Sequence, residues 1–398
     1  MLLPTRLDVR FGLLACGVAI AVVLAGTVAR ADADQAKQSR SFGPDRCGPI
    51  DPTYVQVTNA TGGQPLPLAP SEVGATAPLM AASFGAETVF WASARLASSE
   101  QTITIPVDGV TSRIAFVLST DGSITEMSIA RPGERALAAG AGVKPILFGC
   151  VRGVEVERPM AGEWQLKVAG TGTYWLVVHA KSALGLDDAN FVQVTGRPGH
   201  EGLFDIPGQP VAGRPATLRA RITREEVSDA TFDLVSMDGS HIQAAALSPA
   251  SANSIEEEYV GEIARLPNVP FRVRVSGRDR TGASYQRVSG AAFHAATLEV
   301  IAPQTAALVR GQQTPVTVSV RNVGAPADMQ IVAVLGAAVL RVEPANLRLG
   351  TNESRNVTVW ANIPANSTSP AEEIVVTAES PADPAASNSA VVKAIVDR

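Results

Sequence analysis

Short runs of alternating apolar and polar residues, broken by turn residues about every ten positions, fill this 398-residue chain from about residue 101 onward. No long helical periodicity accompanies them. A period of two sends successive side chains to opposite faces of a strand, so each run can line one buried face. Many short strands at this spacing pack as β-sandwiches. QTITIPV (Gln101–Val107) sets Ile103, Ile105 and Val107 against polar neighbours, and EWQLKVA (163–169) turns Trp164, Leu166 and Val168 to one side. GTYWLVVHA (172–180) is apolar on both faces, which places it at the centre of a sheet. ATLRARI (Ala216–Ile222) and FRVRVS (271–276) alternate cleanly in a second block, as do TPVTVSVRN (314–322) and SRNVTVWAN (Ser354–Asn362) in a third. The expected architecture is all-β, with three tandem β-sandwiches over residues 79–197, 198–296 and 297–398. Pro198, Gly199 and His200 mark the first boundary. Short joints at Gly196 to Gly199 and at Ala295 to Thr297 predict an elongated string of domains with limited hinge freedom.

Residues 1–31 read as a signal peptide. Arg6 and Arg10 are its basic region, an apolar run follows from Phe11 to Val28, and Ala29-Arg30-Ala31 offers a cleavage site before Asp32. An uncleaved anchor and a lipobox at Leu13-Leu14-Ala15-Cys16 are the competing readings. The expected location is secreted, periplasmic or cell-surface, with no membrane span after removal of the signal. Cys47 and Cys150 are then the remaining cysteines, and an isolated pair in an oxidising compartment forms a disulfide. Its loop of about 100 residues is worth roughly 4–5 kcal/mol as an upper value; two unpaired thiols are the alternative. The net charge of −5 argues against a nucleic-acid partner.

From about Thr53 onward, several segments resemble the region that follows the von Willebrand factor A domain in hemicentins and in the von Willebrand factor A domain-containing protein 7 family. They are Gly162-Glu163-Trp164-Gln165-Leu166 with residues 172–178, then GRPGHEGLFDIPG (196–208) and Pro267-x-x-Pro270-Phe271-Arg272-Val273 followed by Gly277-x-Asp279-x-x-Gly282. Val320-Arg321-Asn322-x-Gly324 and Val376-Thr377-Ala378-Glu379-Ser380 complete the set. The resemblance implies a galactose-binding-like β-sandwich followed by two immunoglobulin-like ones. It also makes residues 32–78 a tail in which 53–72 looks like the last strand and turn of an A domain. The A domain's D-x-S-x-S metal site has no counterpart here, so metal-dependent binding is not carried over.

Residues able to carry chemistry are few. Ser119-Thr120-Asp121-Gly122-Ser123 follows an apolar strand as a cation loop would, but Ser119 replaces the anchoring carboxylate, and a plain turn is the competing reading. His179, His200, His241 and His294 fall in separate segments, with no local nucleophile or metal motif. No catalytic residue, metal site or cofactor is expected. Trp91 and Trp175 are candidate ligand contacts that could stack on a sugar. Arg219, Arg221, Arg272 and Arg274 turn away from the buried alternates Leu218 and Phe271, and would form a basic stripe if their strands were neighbours. Glu225, Glu226, Glu256, Glu257 and Glu258 could neutralise it, and Asp187-Asp188 with Asp205 could share a calcium ion. The expectation is a secreted, non-catalytic binding, adhesion or extracellular structural protein whose partner is an extracellular or envelope protein or glycan. A carbohydrate-binding accessory protein of the envelope is the alternative, and a cryptic hydrolase a remote one.

Overall fold

The computed structural model describes residues 47–397, apart from 135, 138, 139, 141, 198, 224–226 and 251–256. The expected signal lies outside the described residues, as do the first part of the tail, Pro198, Glu225, Glu226 and Glu256. The rest is built from almost wholly antiparallel sheets packed in sandwich-like units, with α1 (Pro52–Thr61), a 3-10 turn (Val73–Ala75) and α2 (Ala77–Ser83) ahead of the first strand.

The first unit holds β1 (Glu87–Arg95), β2 (Gln101–Val107), β3 (Thr111–Thr120), β4 (Ser123–Ala130), β5 (Val143–Leu147), β6 (Val151–Glu157), β7 (Gly162–Thr171) and β8 (Thr173–Ser182). Sheet order β1-β8-β3-β6-β5 faces β2-β7-β4 across a core of Ile105, Phe116, Leu118, Trp164, Leu166 and Leu176. Trp164 stacks on Phe116 at 5.7 Å between ring centroids, and its indole N–H donates to the Met160 carbonyl at 2.8 Å, so the large ring is buried without an orphaned donor.

The second unit holds β9 (Leu186–Arg197), β10 (His200–Asp205), β11 (Ala216–Ile222), β12 (Val227–Ser236), β13 (His241–Ala245), β14 (Ser248–Pro249), β15 (Glu257–Ile263), β16 (Phe271–Asp279) and β17 (Ser284–Val288). Its layers are β10-β9-β11-β15-β14 and β13-β12-β16-β17. The expected boundary therefore falls between β9 and β10, which pair with each other from Arg197 opposite His200 to Val192 opposite Asp205. β9 pairs with β10 at its far end and with β11 along Leu186 to Val192, and Leu184 and Phe191 sit in the second core. The passage between units is the stretch 183–185, and Gly196 and Arg197, expected in the joint, are β9 residues that pair with Glu201 and His200 of β10. Ala295 and Ala296, expected in the second joint, are also buried.

The third unit holds β18 (Leu298–Ile301), β19 (Thr305–Val309), β20 (Gln313–Asn322), β21 (Ala327–Leu335), β22 (Ala338–Glu343), β23 (Asn346–Leu349), β24 (Ser354–Asn362), β25 (Ala371–Ser380) and β26 (Asp383–Asp397). β22 bonds to β21 on one side and β24 on the other, carrying one sheet around the core from layer β18-β20-β24 to layer β21-β25-β26-β19. Val318, Val320, Val357, Val359, Ile374, Val376 and Val392 fill the space between, one residue in two along each strand, as the alternation required.

Residues 53–72 depart from the strand and turn expected of them. Asp51 caps α1 by accepting from the Thr53 amide at 2.8 Å, and Pro52 occupies a first-turn position where its missing N–H costs nothing. Gly62, at φ 77°, ends the helix with its amide donating to the Thr58 carbonyl. Val55, Val57, Thr58 and Thr61 favour a strand by intrinsic preference. Caps at both ends, and the packing of Ile50 and Val55 on Trp91, Trp175, Val177 and Val288, outweigh that preference.

Candidate functional site

Residues 47–84 cross the outer face of β1-β8-β3-β6-β5 as a strap. Leu66, Leu79 and Ala82 pack on Ala115, Val117, Ile146 and Val151, and the Gln64 amide donates to the Val117 and Trp175 carbonyls at 3.0 and 2.7 Å. This second layer explains why β8 is apolar on both faces. The strap is tied down by a disulfide between Cys47 and Cys150, whose Cα atoms are 5.6 Å apart across 103 residues. Beneath it, a cavity of about 20 Å³, room for a single water, is bounded by Gln64, Leu66, Leu79, Ser83, Val117 and His179. His179 is buried, its Nδ1 has no hydrogen-bond partner, and burial pushes its pKa down to about 4.

The rest of that outer face meets the outer face of β12-β16-β17. Here the structure concentrates its buried polar groups. The loop after β2 inserts into the second unit, and Asp108 pairs with Arg287 at 2.7 Å, both side chains fully buried. Arg287 also donates to the Leu184 and Gln286 carbonyls, while the other Asp108 oxygen accepts from the Thr111 and Ser182 hydroxyls and the Val110 amide. Burial alone would raise the Asp108 pKa, but the Arg287 charge and these hydrogen bonds overcome it and hold the carboxyl below its ordinary value. The next residue, Gly109, donates to Asp279 at 2.6 Å; a Cβ there would stand 2.4 Å from the Thr281 hydroxyl, so only glycine brings the backbone this close. The remaining Asp279 oxygen accepts from Thr281 and Ala283, which fixes the turn between β16 and β17. Asp279 of the G-x-D-x-x-G segment thus helps organise a junction, together with Gly109 of the first unit. Glu87, at the passage between units, accepts from the Leu186 amide, and burial raises its pKa against the opposing pull of Arg287.

Arg272 completes the junction. It does point away from Phe271 and Val273, as the alternation required, but the face it points to is covered. Its guanidinium lies 4.0 Å from the Trp91 ring centroid and donates to the Ser289 and Gly290 carbonyls. Burial lowers its pKa to about 9. Trp91 and Trp175 are 1% and 3% exposed, so neither sugar-stacking candidate reaches the surface; both serve as the apolar floor of the junction.

The expected basic stripe does not form. Arg219 and Arg221 lie on β11 and Arg272 and Arg274 on β16, strands of opposite layers whose outward faces point apart. Each exposed member is locally neutralised. Arg219 lies 2.9 Å from Asp205 and 3.6 Å from both Asp188 and Glu258, Arg221 lies 3.2 Å from Asp188, and Arg274 lies 2.9 Å from Asp233. Asp188 and Asp205, weighed as calcium ligands, are thereby engaged with arginines. The 119–123 loop behaves as a turn, with Asp121 accepting from the Thr173 amide and the Ser119 hydroxyl donating to the Pro65 carbonyl. His241 lies 3.4 Å from Asp233, which it shares with Arg274. Among the described residues no group of three or more His, Cys, Asp or Glu could hold a metal ion, and no helix is long and apolar enough to cross a membrane.

The junction was not anticipated from the sequence. Its available signal was the pair Asp108-Gly109 at the end of a clean strand together with Arg287 in the short strand SYQRV, and only the docking of two units connects them.

Residues 297–397 match the family described as the VWA7 Ig-like domain. The rat (Rattus norvegicus) von Willebrand factor A domain-containing protein 7 is 26% identical over 296 residues, covering 68% of this chain and 32% of that protein. The chain thus spans about a third of that relative's length. Among solved structures, an ICAM-5 D1–D4 ectodomain fragment aligns over 77% of each chain at 9% identity and a TM-score of 0.22. The Bacillus licheniformis lipase BlEst2 in its propeptide form aligns over 55% of this chain and 48% of that one, at 12% identity and a TM-score of 0.25. Likenesses this distant carry no argument about fold or activity. The chain is a multidomain, largely β-sheet protein related to VWA7 and immunoglobulin-like modules, and its third unit is the part that matches the VWA7 Ig-like domain.

Proposed function

We propose that this is an exported, non-catalytic binding or adhesion protein. In this reading a galactose-binding-like sandwich and an immunoglobulin-like one form a stem, and a second immunoglobulin-like sandwich, the third unit, is presented at its end. The observation that carries the proposal is the first junction. The Asp108–Arg287 pair, the Arg272–Trp91 contact and the bridged strap spend the buried polar groups on holding two units together rather than on lining a cleft. Such a stem keeps a distal surface at a fixed distance and angle, which suits contact with an envelope or extracellular partner.

The immobilised chain, from residue 32 onward, is expected to retain an envelope protein or polysaccharide saturably and to turn over none of a panel of ester, peptide and glycoside substrates. Turnover abolished by one Ser, His or carboxylate substitution would sink the proposal. Export is tested by the mass of the released protein, expected to begin at Asp32. The carbohydrate alternative has lost its two aromatic candidates to the junction. Saturable binding to one class on a glycan array, competed by the free sugar, would restore it.

A further inference from the structure

The third unit has two outer faces of opposite character. On the β20-β24-β22 side, Trp360 donates to Glu343, Arg341 covers the Trp360 ring at 4.7 Å and pairs with Glu343, and Ser319 bonds to Ser354. Charged and hydroxyl groups there satisfy one another. On the β21-β25-β26 side the outward positions alternate rows of β-branched and apolar residues with rows of hydroxyl and charged ones. Strand register aligns them in rows across the sheet: Val339, Val334, Val375 and Val391 in one, Val332, Thr377 and Ser389 in the next, and Ala371, Ile395 and Ala307 at the other end. Val339 and Ile395 are 75% and 47% exposed. One row pairs opposite charges, with Glu373 directly opposite Lys393, and beyond the Thr377–Ser389 row Glu379 lies between Gln330 and Ser387, so the two-fold sets no like charges against each other there.

That pattern is complementary to itself. Consider a two-fold axis running parallel to the strands, between β25 and β26, with a second copy laid face to face. The operation exchanges β25 with β26 while keeping each row at its own height. Glu373 then meets the partner's Lys393, Lys393 meets the partner's Glu373, the Val375–Val391 row falls on its own reverse, and the Thr377–Ser389 pair faces Ser389–Thr377. We propose that this face is a homodimer interface, pairing two copies of the chain through β25 and β26 about such an axis. Isologous contact is the commonest form of self-association, and stacked sheets cross at about −30°, which leaves the rows nearest the axis in register.

At about 4.8 Å between strands and about 3.4 Å per residue, the patch is roughly 20 Å on a side and would remove about 800 Å² from water in total. That area is at the low end for specific complexes, so the dimer is weak, and it gains strength when many copies share one surface. The inference is independent of the envelope reading: a chain that bound no envelope component would still self-associate.

Sedimentation velocity of the chain from residue 32 onward, over about 10 to about 500 µM, tests it. The wild type is expected to shift reversibly toward dimer. E373K alone sets Lys against Lys twice and K393E alone sets Glu against Glu twice, so each is expected to weaken self-association by about tenfold or more. An equimolar mixture of the two variants is expected to recover wild-type strength as a mixed dimer, as is the doubly swapped E373K/K393E chain. The recovery also shows that each variant is folded. A chain that stays monomeric throughout, or a dimer that neither single swap weakens, or a mixture that fails to recover, would overturn the proposal.

Discussion

The two junctions between successive units use different chemistry. The first buries an ion pair, a cation over an indole ring and the apolar cluster of Trp91, Trp175, Val177 and Val288, and a disulfide-bridged strap crosses it. The second rests mainly on hydrogen bonds. Asn388 accepts from the Gln209 amide and donates to the Gln209 and Leu298 carbonyls, Ala212 and Ala296 bond through backbone groups, and Arg214 lies 3.6 Å from Glu299 at a partly exposed rim. A junction with buried charge is all-or-none, since separating it strands a desolvated carboxylate and guanidinium. A junction of hydrogen bonds can open with water replacing each partner, at a far smaller cost. On this contrast the first two units are expected to move as one body and the third to pivot.

Reduction of the Cys47–Cys150 bridge is the strongest way to break this contrast. The chain-entropy ceiling for so long a loop is about 4–5 kcal/mol. Thermal melts with and without reductant are expected to separate by several degrees, and coincident melts would mean that the strap holds without its bridge. Asp108→Ala comes next, with an expected loss of about 3–5 kcal/mol in urea unfolding, because Arg287 is left buried and unpaired. The double substitution Asp108→Leu with Arg287→Met is expected to restore most of that loss; a double variant as weak as the sum of its parts would show that the pair is not a coupled unit.

Acid should act on the strap beside this junction through His179, which lies in the cavity beneath it. Its pKa is 6.5 when exposed and about 4 when folded, so between those values the unfolded chain binds a proton that the native chain refuses. The stabilisation is complete above about pH 6.5 and is lost as the pH falls toward 4, by about 3 kcal/mol. His179→Leu is expected to flatten that part of the stability profile relative to the wild type, and parallel profiles would remove His179 as the cause. The smallest effect is expected at the second junction. Asn388→Ala should cost about 1–3 kcal/mol and broaden the distance distribution in small-angle scattering, leaving the first junction's melt unchanged. An unbroadened distribution would mean that the third unit is held as firmly as the others.

Much of the strand framework was legible because burial on one face leaves a period of two that survives in any context. The alternation in 216–222 and 271–276 told correctly which residues face the core, and Leu218, Phe271 and Val273 are fully buried. It also placed Arg272 and Arg274 on the outward face. It could not tell that β16's outward face is covered by another unit, so one arginine became a buried junction residue and the other a surface partner of Asp233. β9 was harder to read. LDDANFVQVTGR spends its outward positions on Asp188, which pairs with arginines of the neighbouring strand, and on Asn190, which donates to Asp188, and both thin out the apolar signal. α1 was misread because its β-branched residues point one way and its caps the other.

By itself, then, the sequence determined the all-β class, the faces of most strands and the pair of cysteines suited to a bridge, since each follows from local periodicity or from simple counting. Tertiary structure alone decided which outer faces stay outer. Trp91, Trp175 and Arg272 read as surface contacts until two units and a strap are brought together. Whether a face meets water depends on residues nearly 200 positions away, such as Arg287 for Asp108, and no local pattern encodes that distance.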